Sequence, residues 1–286
     1  MLLTFKHVAL LFAAAALGCS PKAGSGGAGA QSPERQAEAE YDVARDLFFN
    51  RREPRQALDH ALKAVELDDE NPRVLYFVSN IYLSFCSTDA GFTSPDCRLA
   101  DAESFARRAI KAEGSFRDAK NLLAVILTHQ GKFPEAIALL EPLTRDPAYS
   151  ASHLAWGNLG WAELQAGHVD AAIAALKNAV TQPKFCVGFY RLGMAFEKKG
   201  DLNRAEENLS SALGVDAEEC KTLQAAWEAR GRVRQSLGRA ADARADFDRC
   251  RELAPGTKEG KQCAKALAQL GTGQLGAGGV KSPPVP

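Results

Sequence analysis

Apolar residues are arranged in three different ways along the chain. Val8 to Leu17 are ten consecutive apolar residues behind a single Lys6. This is the charged and apolar pattern of a secretory signal over 1–18, shorter than the roughly twenty residues of a membrane-spanning helix. Residues 20–33, SPKAGSGGAGAQSP, offer no side chain for a core and predict a flexible tether over 19–35. From 36 to 270 the chain is Ala-rich and helical in pattern, and extended runs of Val, Ile and Thr are scarce. That predicts an all-α body and excludes a β-sandwich, a barrel or a nucleotide-binding α/β sheet. The final stretch, 271–286, is too rich in Gly and Pro to fold.

The helical body repeats itself. Gly131, Gly167, Gly200 and Gly238 are each followed five residues later by an alanine: Ala136, Ala172, Ala205 and Ala243. Ala57 and Ala102 extend the series without the glycine, and successive alanines are 45, 34, 36, 33 and 38 residues apart. Trp156-x-x-Leu159-Gly160 followed by Ala172, Leu176 and Ala179 resembles the tetratricopeptide repeat. So does Phe189-x-x-Leu192-Gly193-x-x-Phe196 followed by Ala205, Leu209 and Ala212, and Trp227, Phe247 and Pro255 mark a sixth copy. The expected fold is an α-solenoid, a tetratricopeptide superhelix of six helix-turn-helix units: 38–71, 72–116, 117–150, 153–185, 186–219 and 224–257. The second unit carries an 11-residue insertion between its helices. Residues 258–270 predict a terminal capping helix.

Seven cysteines and a secretory leader imply an oxidising compartment. Cys19 stands apart from the body, which leaves six. Cys86 and Cys97 bracket the insertion, Cys250 and Cys263 flank the turn LAPGTKEG, and Cys186 and Cys220 are left for each other. No Cys or His pair has metal-ligand spacing and no CxxC is present, so neither a metal nor redox chemistry is expected. Gly271-x-Gly273-x-x-Gly276 matches a dinucleotide fingerprint only in letters, since it follows a helix and precedes a Pro-rich end. No acid, base or nucleophile constellation emerges, and the expectation is no enzyme and no cofactor. Lys+Arg and Asp+Glu are 35 each, which excludes the basic footprint of a nucleic-acid binder.

Binding is therefore the expected activity. In such a superhelix, positions 2, 5, 9 and 12 of each first helix line the concave surface. They give Phe49, Tyr76, Asn80, Leu83, Asn121, Val125, Leu154, Trp161, Leu164, Tyr190 and Met194. Leu83 and Val125 serve equally well as core, whereas Trp161 and Tyr190 are typical hot-spot residues. The sixth repeat contributes Glu228, Arg232 and Gln235, so the groove turns polar at its end. An apolar groove suits an amphipathic or apolar protein segment. Asp42 and Asp46 at repeat 1 argue against a clamp for acidic peptides there.

Ala16-Leu17-Gly18-Cys19 resembles a bacterial lipobox, which implies lipidation at Cys19, and Ser20 after it implies sorting to the outer membrane. With the repeats, and with the junction Asn121-Leu-Leu-Ala-Val125…Asp146-Pro-x-Tyr149…Asn158-Leu-Gly160, the chain resembles the PilF/PilW/Tgl pilotins of type IV pili over residues 36–257. Its six pairable cysteines are most similar to the Tgl-like branch. The resemblance implies an outer-membrane lipoprotein that binds the secretin PilQ and promotes its insertion and multimerisation, for pilus assembly and pilus-dependent gliding motility. An alternative with the same anchor and fold is a scaffold for cell-wall synthesis or outer-membrane protein assembly.

Overall fold

The computed structural model describes residues 32–86 and 96–271. Residues 1–31, Cys19 among them, the middle of the second-repeat insertion and the tail beyond 271 lie outside the described residues. The described residues from Pro33 belong to one compact unit. Each repeat is a pair of antiparallel-neighbour helices, called A and B. The pairs are α1 (Pro33–Arg45) with α2 (Pro54–Leu67), α3 (Pro72–Cys86) with α4 (Leu99–Ala112), and α5 (Arg117–His129) with α6 (Phe133–Arg145). Next come α7 (Ser152–Gln165) with α8 (Val169–Ala179) and α9 (Cys186–Lys199) with α10 (Leu202–Gly214). After the single turn α11 (Glu218–Lys221) come α12 (Gln224–Ser236) with α13 (Ala240–Leu253), then the cap α14 (Lys258–Gly271). The described residues contain no strand. Helices pack on their near neighbours in sequence, the quasi-one-dimensional arrangement of a solenoid. Helix α1 starts at Pro33, inside the span 19–35 expected for a tether, since proline is pre-organised for the first helical position.

Two steric demands explain the repeating residues. In the five repeats whose A–B connection is described, the chain reverses through a left-handed residue. Gly131, Gly167, Gly200 and Gly238 take φ of 76°, 89°, 86° and 77°, where a side chain is strained. In the first repeat that place, five before Ala57, is held by Arg52 at φ 59°. The helix ahead of it finishes in a π-helical turn, Asp46–Arg51, which absorbs one extra residue between Ala44 and Ala57. The second demand is close approach of A to B. A Cβ on Gly193 would come within 2.6 Å of the Leu209 side chain and 3.1 Å of the Ala205 carbonyl. Ala44, Ser79, Ala124, Gly160 and Gly231 occupy the matching place in the other repeats. Ser79 turns its closeness to use, donating a 2.7 Å hydrogen bond to the Ala102 carbonyl.

The core changes character along the stack. From Ala44 to Ala175 it is one apolar cluster that includes Leu75, Ile81, Leu123, Ile126, Leu127 and Leu140. At the sixth repeat the inward positions of α12 are Arg230 and Arg234. Both pair with Asp246 of α13, whose side chain is only 2% exposed. Arg230 makes a bidentate fork at 2.7 and 3.0 Å, and Arg234 reaches Asp246 and Glu206 at 2.9 Å each. Disulfides join Cys86 to Cys97, Cys186 to Cys220 and Cys250 to Cys263, with Cα–Cα distances of 4.5, 5.8 and 6.2 Å. The last ties the cap to α13. Gln224 completes that joint by donating to the Cys250 and Ala254 carbonyls, while its own carbonyl accepts from the Thr257 hydroxyl.

Candidate functional site: the A-helix face

The A helices align residues of successive repeats into a continuous surface whose chemistry varies along its length. At the first repeat the π-helical turn carries Phe48 and Phe49. Phe49 is 62% exposed, and its ring centroid is 5.8 Å from that of Phe77. Phe77 in turn meets Tyr41 edge-on at 5.5 Å, so an aromatic cluster leaves one ring in solvent. Tyr76 tilts against Phe116 at 5.1 Å, and burial raises its hydroxyl pKa. Asn80 donates back to the Tyr76 carbonyl. Val125, Leu83 and Leu154 are half-buried. Leu164, expected in the groove, is instead buried in the cluster that holds Ile173, Leu192 and Phe196, because the last turn of α7 faces the neighbouring helices.

In the middle, three A helices are joined by a polar ladder. The Asn158 amide donates to Asn121 Oδ1 at 3.0 Å, and Arg191 Nη1 donates to Asn158 Oδ1 at 2.9 Å and to the Gly157 carbonyl at 3.0 Å. The Arg191 guanidinium also lies 5.5 Å over the Trp161 ring. Trp161, Tyr190 and Met194 are half-buried around it, and burial raises the Tyr190 pKa. Among the described residues no carboxylate forms an ion pair with Arg191, and desolvation lowers its pKa to about 10. One repeat further on, Arg232 has the opposite surroundings. It forks onto Glu197 at 2.7 and 2.8 Å and onto Glu228 at 2.6 and 2.5 Å, and the bonds to Glu197 lead in raising its pKa. The polar end expected from Glu228 and Arg232 is thus a closed salt-bridge network.

The junction Asp146-Pro-x-Tyr149 orients this surface. Asp146 accepts from Arg117 at 2.6 Å and from the Ala148 backbone N–H at 2.9 Å, so the chain turns over its own carboxylate. Tyr149, 6% exposed, donates to Asp118 at 2.9 Å, and burial raises its pKa. Both bonds lie within the third repeat and tie the start of α5 to the turn that leads into α7. Asn158 and Arg191 are site residues that position counting missed. Each sits beside a counted position, and the pairing that reveals them runs between helices.

Comparison with known proteins follows the same lines. A tetratricopeptide repeat profile matches residues 98–150, 130–184 and 190–257, together more than half of the chain. No curated protein matches at the sequence level. Among solved structures, PilW, a widely conserved type IV pilus biogenesis factor, superposes with a TM-score of 0.64 at 18% identity. The match covers 80% of this chain and 98% of PilW. Pseudomonas aeruginosa PilF gives a TM-score of 0.61 at 14% identity, over 82% of this chain and 98% of that one. Human IFIT1, solved as a dimer with m7Gppp-AAAA, reaches 0.64 at 16% identity, over 80% of this chain but 53% of its own.

Proposed function

The chain belongs to the tetratricopeptide repeat family, and from that premise we propose that it is a type IV pilus biogenesis factor of the pilotin kind. In this reading it is anchored in the outer membrane through a lipid on Cys19. It binds the secretin PilQ by an apolar or amphipathic segment and promotes secretin insertion and multimerisation. The supporting observation is the extent of the likeness: PilW and PilF are each matched over 98% of their length. IFIT1, as similar in fold, is matched over about half. The A-helix face supplies a binding surface of the required kind, with Phe49, Tyr76, Trp161, Tyr190 and Met194 offering aromatic and thioether contact. Multiple acyl chains at Cys19 would hold that surface beside the bilayer, at about 0.8 kcal/mol per buried CH₂. The tether would raise its effective concentration for membrane-bound secretin protomers.

Deletion of the gene tests this directly. Heat-stable secretin multimers are expected to vanish while monomer persists, and normal multimers would overturn the proposal. Cys19→Ser is expected to move the protein from the membrane fraction to the soluble one. Continued membrane association would reject the lipid anchor without touching the binding reading.

A further inference from the structure

Arg191 stands out among the arginines of the A-helix face. A guanidinium has five N–H donors and keeps its charge throughout the physiological range. When buried it is ordinarily matched by carboxylates, as Arg232 is by Glu197 and Glu228, and as Arg230 is by Asp246. Arg191 has only neutral company. Nη1 is spent on the Gly157 carbonyl and Asn158 Oδ1, and the plane rests over Trp161. Its Nε and Nη2 donors have no acceptor among the described residues, yet part of the side chain is open to solvent. The ladder from Asn121 through Asn158 fixes the guanidinium's position, so the cation is pre-organised. Apolar residues flank it on both sides: Val125 towards the third repeat, and Tyr190 and Met194 towards the sixth.

We propose that Arg191 is the receptor for an acidic side chain, Asp or Glu, carried in the middle of the partner's amphipathic helix. The two unused donors suit the two oxygens of one carboxylate, and the Trp161 ring closes one side of the site. Apolar surface to either side places that carboxylate within a segment rather than at a chain end. The carboxylate supplies the charge that the fold withholds, so its pairing selects partners as well as strengthening binding. The closed network at Arg232, Glu197 and Glu228 has no such vacancy and bounds the site on the sixth-repeat side. This inference rests on the A-helix face being the binding surface, as proposed above.

The test uses the full mature chain and a pool of synthetic amphipathic helical peptides of varied Leu, Ile, Val and Phe faces. Each peptide is made in two versions, with Glu or Gln at one central position. Affinity is read by calorimetry, and thermal melting is followed in parallel. The Glu versions are expected to bind about tenfold tighter than their Gln partners, the scale of one charge-assisted pair. That preference disappears in Arg191→Gln and is partly restored in Arg191→Lys, while Arg232→Gln keeps it. Equal affinity of Glu and Gln versions for the native chain overturns the Arg191 assignment and leaves the surface as an apolar one. A preference that survives Arg191→Gln overturns it too. A lowered melting temperature in Arg191→Gln with no native-chain preference assigns the residue to packing alone. If no peptide of either version binds, the A-helix face itself is rejected, and this inference falls with it.

Discussion

In the third repeat, Leu123 and Leu127 point inward from α5 at 2% and 0% exposure. In the sixth, the corresponding positions of α12 are Arg230 and Arg234. One architecture therefore closes the same interface by burying hydrocarbon in one place and by satisfying charge in another. The apolar version tolerates gradual loss, since each removed methylene costs its transfer and cavity terms separately. The ionic version shares one carboxylate, Asp246, between two arginines; without it Arg230 loses its only ion pair among the described residues and Arg234 keeps only Glu206. The difference also matches position. The third repeat has neighbours on both sides, whereas the sixth is the last repeat before the cap, where a disulfide and Gln224 supplement the seam.

Removing the shared anion is the strongest way to break this comparison. Asp246→Ala is expected to cost about 3–5 kcal/mol, because Arg230 is left buried without an anion and Arg234 keeps only Glu206. Hydrogen exchange should show the loss confined to α12, α13 and α14. Replacing Arg230, Arg234 and Asp246 together by apolar residues of similar volume should instead be neutral or stabilising. A costly triple replacement would show that the seam is more than a substitute for hydrocarbon. In the third repeat, Leu127→Ala is expected to cost about 2–5 kcal/mol by chemical denaturation, with protection lost around α5 and α6.

Severing the cap gives the next largest effect. Cys250→Ser with Cys263→Ser should lower stability by about 3 kcal/mol in the chain-entropy account, read as earlier exchange of α14 amides. Gly193→Ala forces a methyl against Leu209 and should cost about 1–3 kcal/mol by melting. The smallest effect has the opposite sign. Arg52→Gly relieves a left-handed arginine in the first repeat and should stabilise by about 1 kcal/mol. If it destabilises, the π-helical turn before it depends on that side chain.

What could be read from the chain alone follows from which demands are local. A left-handed turn favours Gly, and a close helix pair needs Ala, Ser or Gly, so the repeats declare themselves at Gly131, Gly167, Gly200 and Gly238 and at the alanines that follow. The cysteines could be paired because each partner lay across a recognisable insertion, turn or remainder. The groove was less legible. Leu164 fits the counted position but is buried, since the end of α7 faces its neighbours. Asn158 was legible only as part of the junction motif, and Arg191 not at all, because their significance lies in bonds between helices and to the Gly157 carbonyl, which no residue type advertises. Arg230 and Arg234 break the apolar pattern of the core, and the positions of Asp246 and Glu206 explain why that is tolerated.

The central claim, that the A-helix face receives a secretin segment, is tested most directly by a photo-crosslinking residue introduced at Tyr190 in cells. A control carries it at Lys177, on the exposed side of helix α8. The account predicts a covalent adduct with PilQ from position 190 and none from 177. Adducts from 177 alone, or a different protein captured at 190, would contradict it.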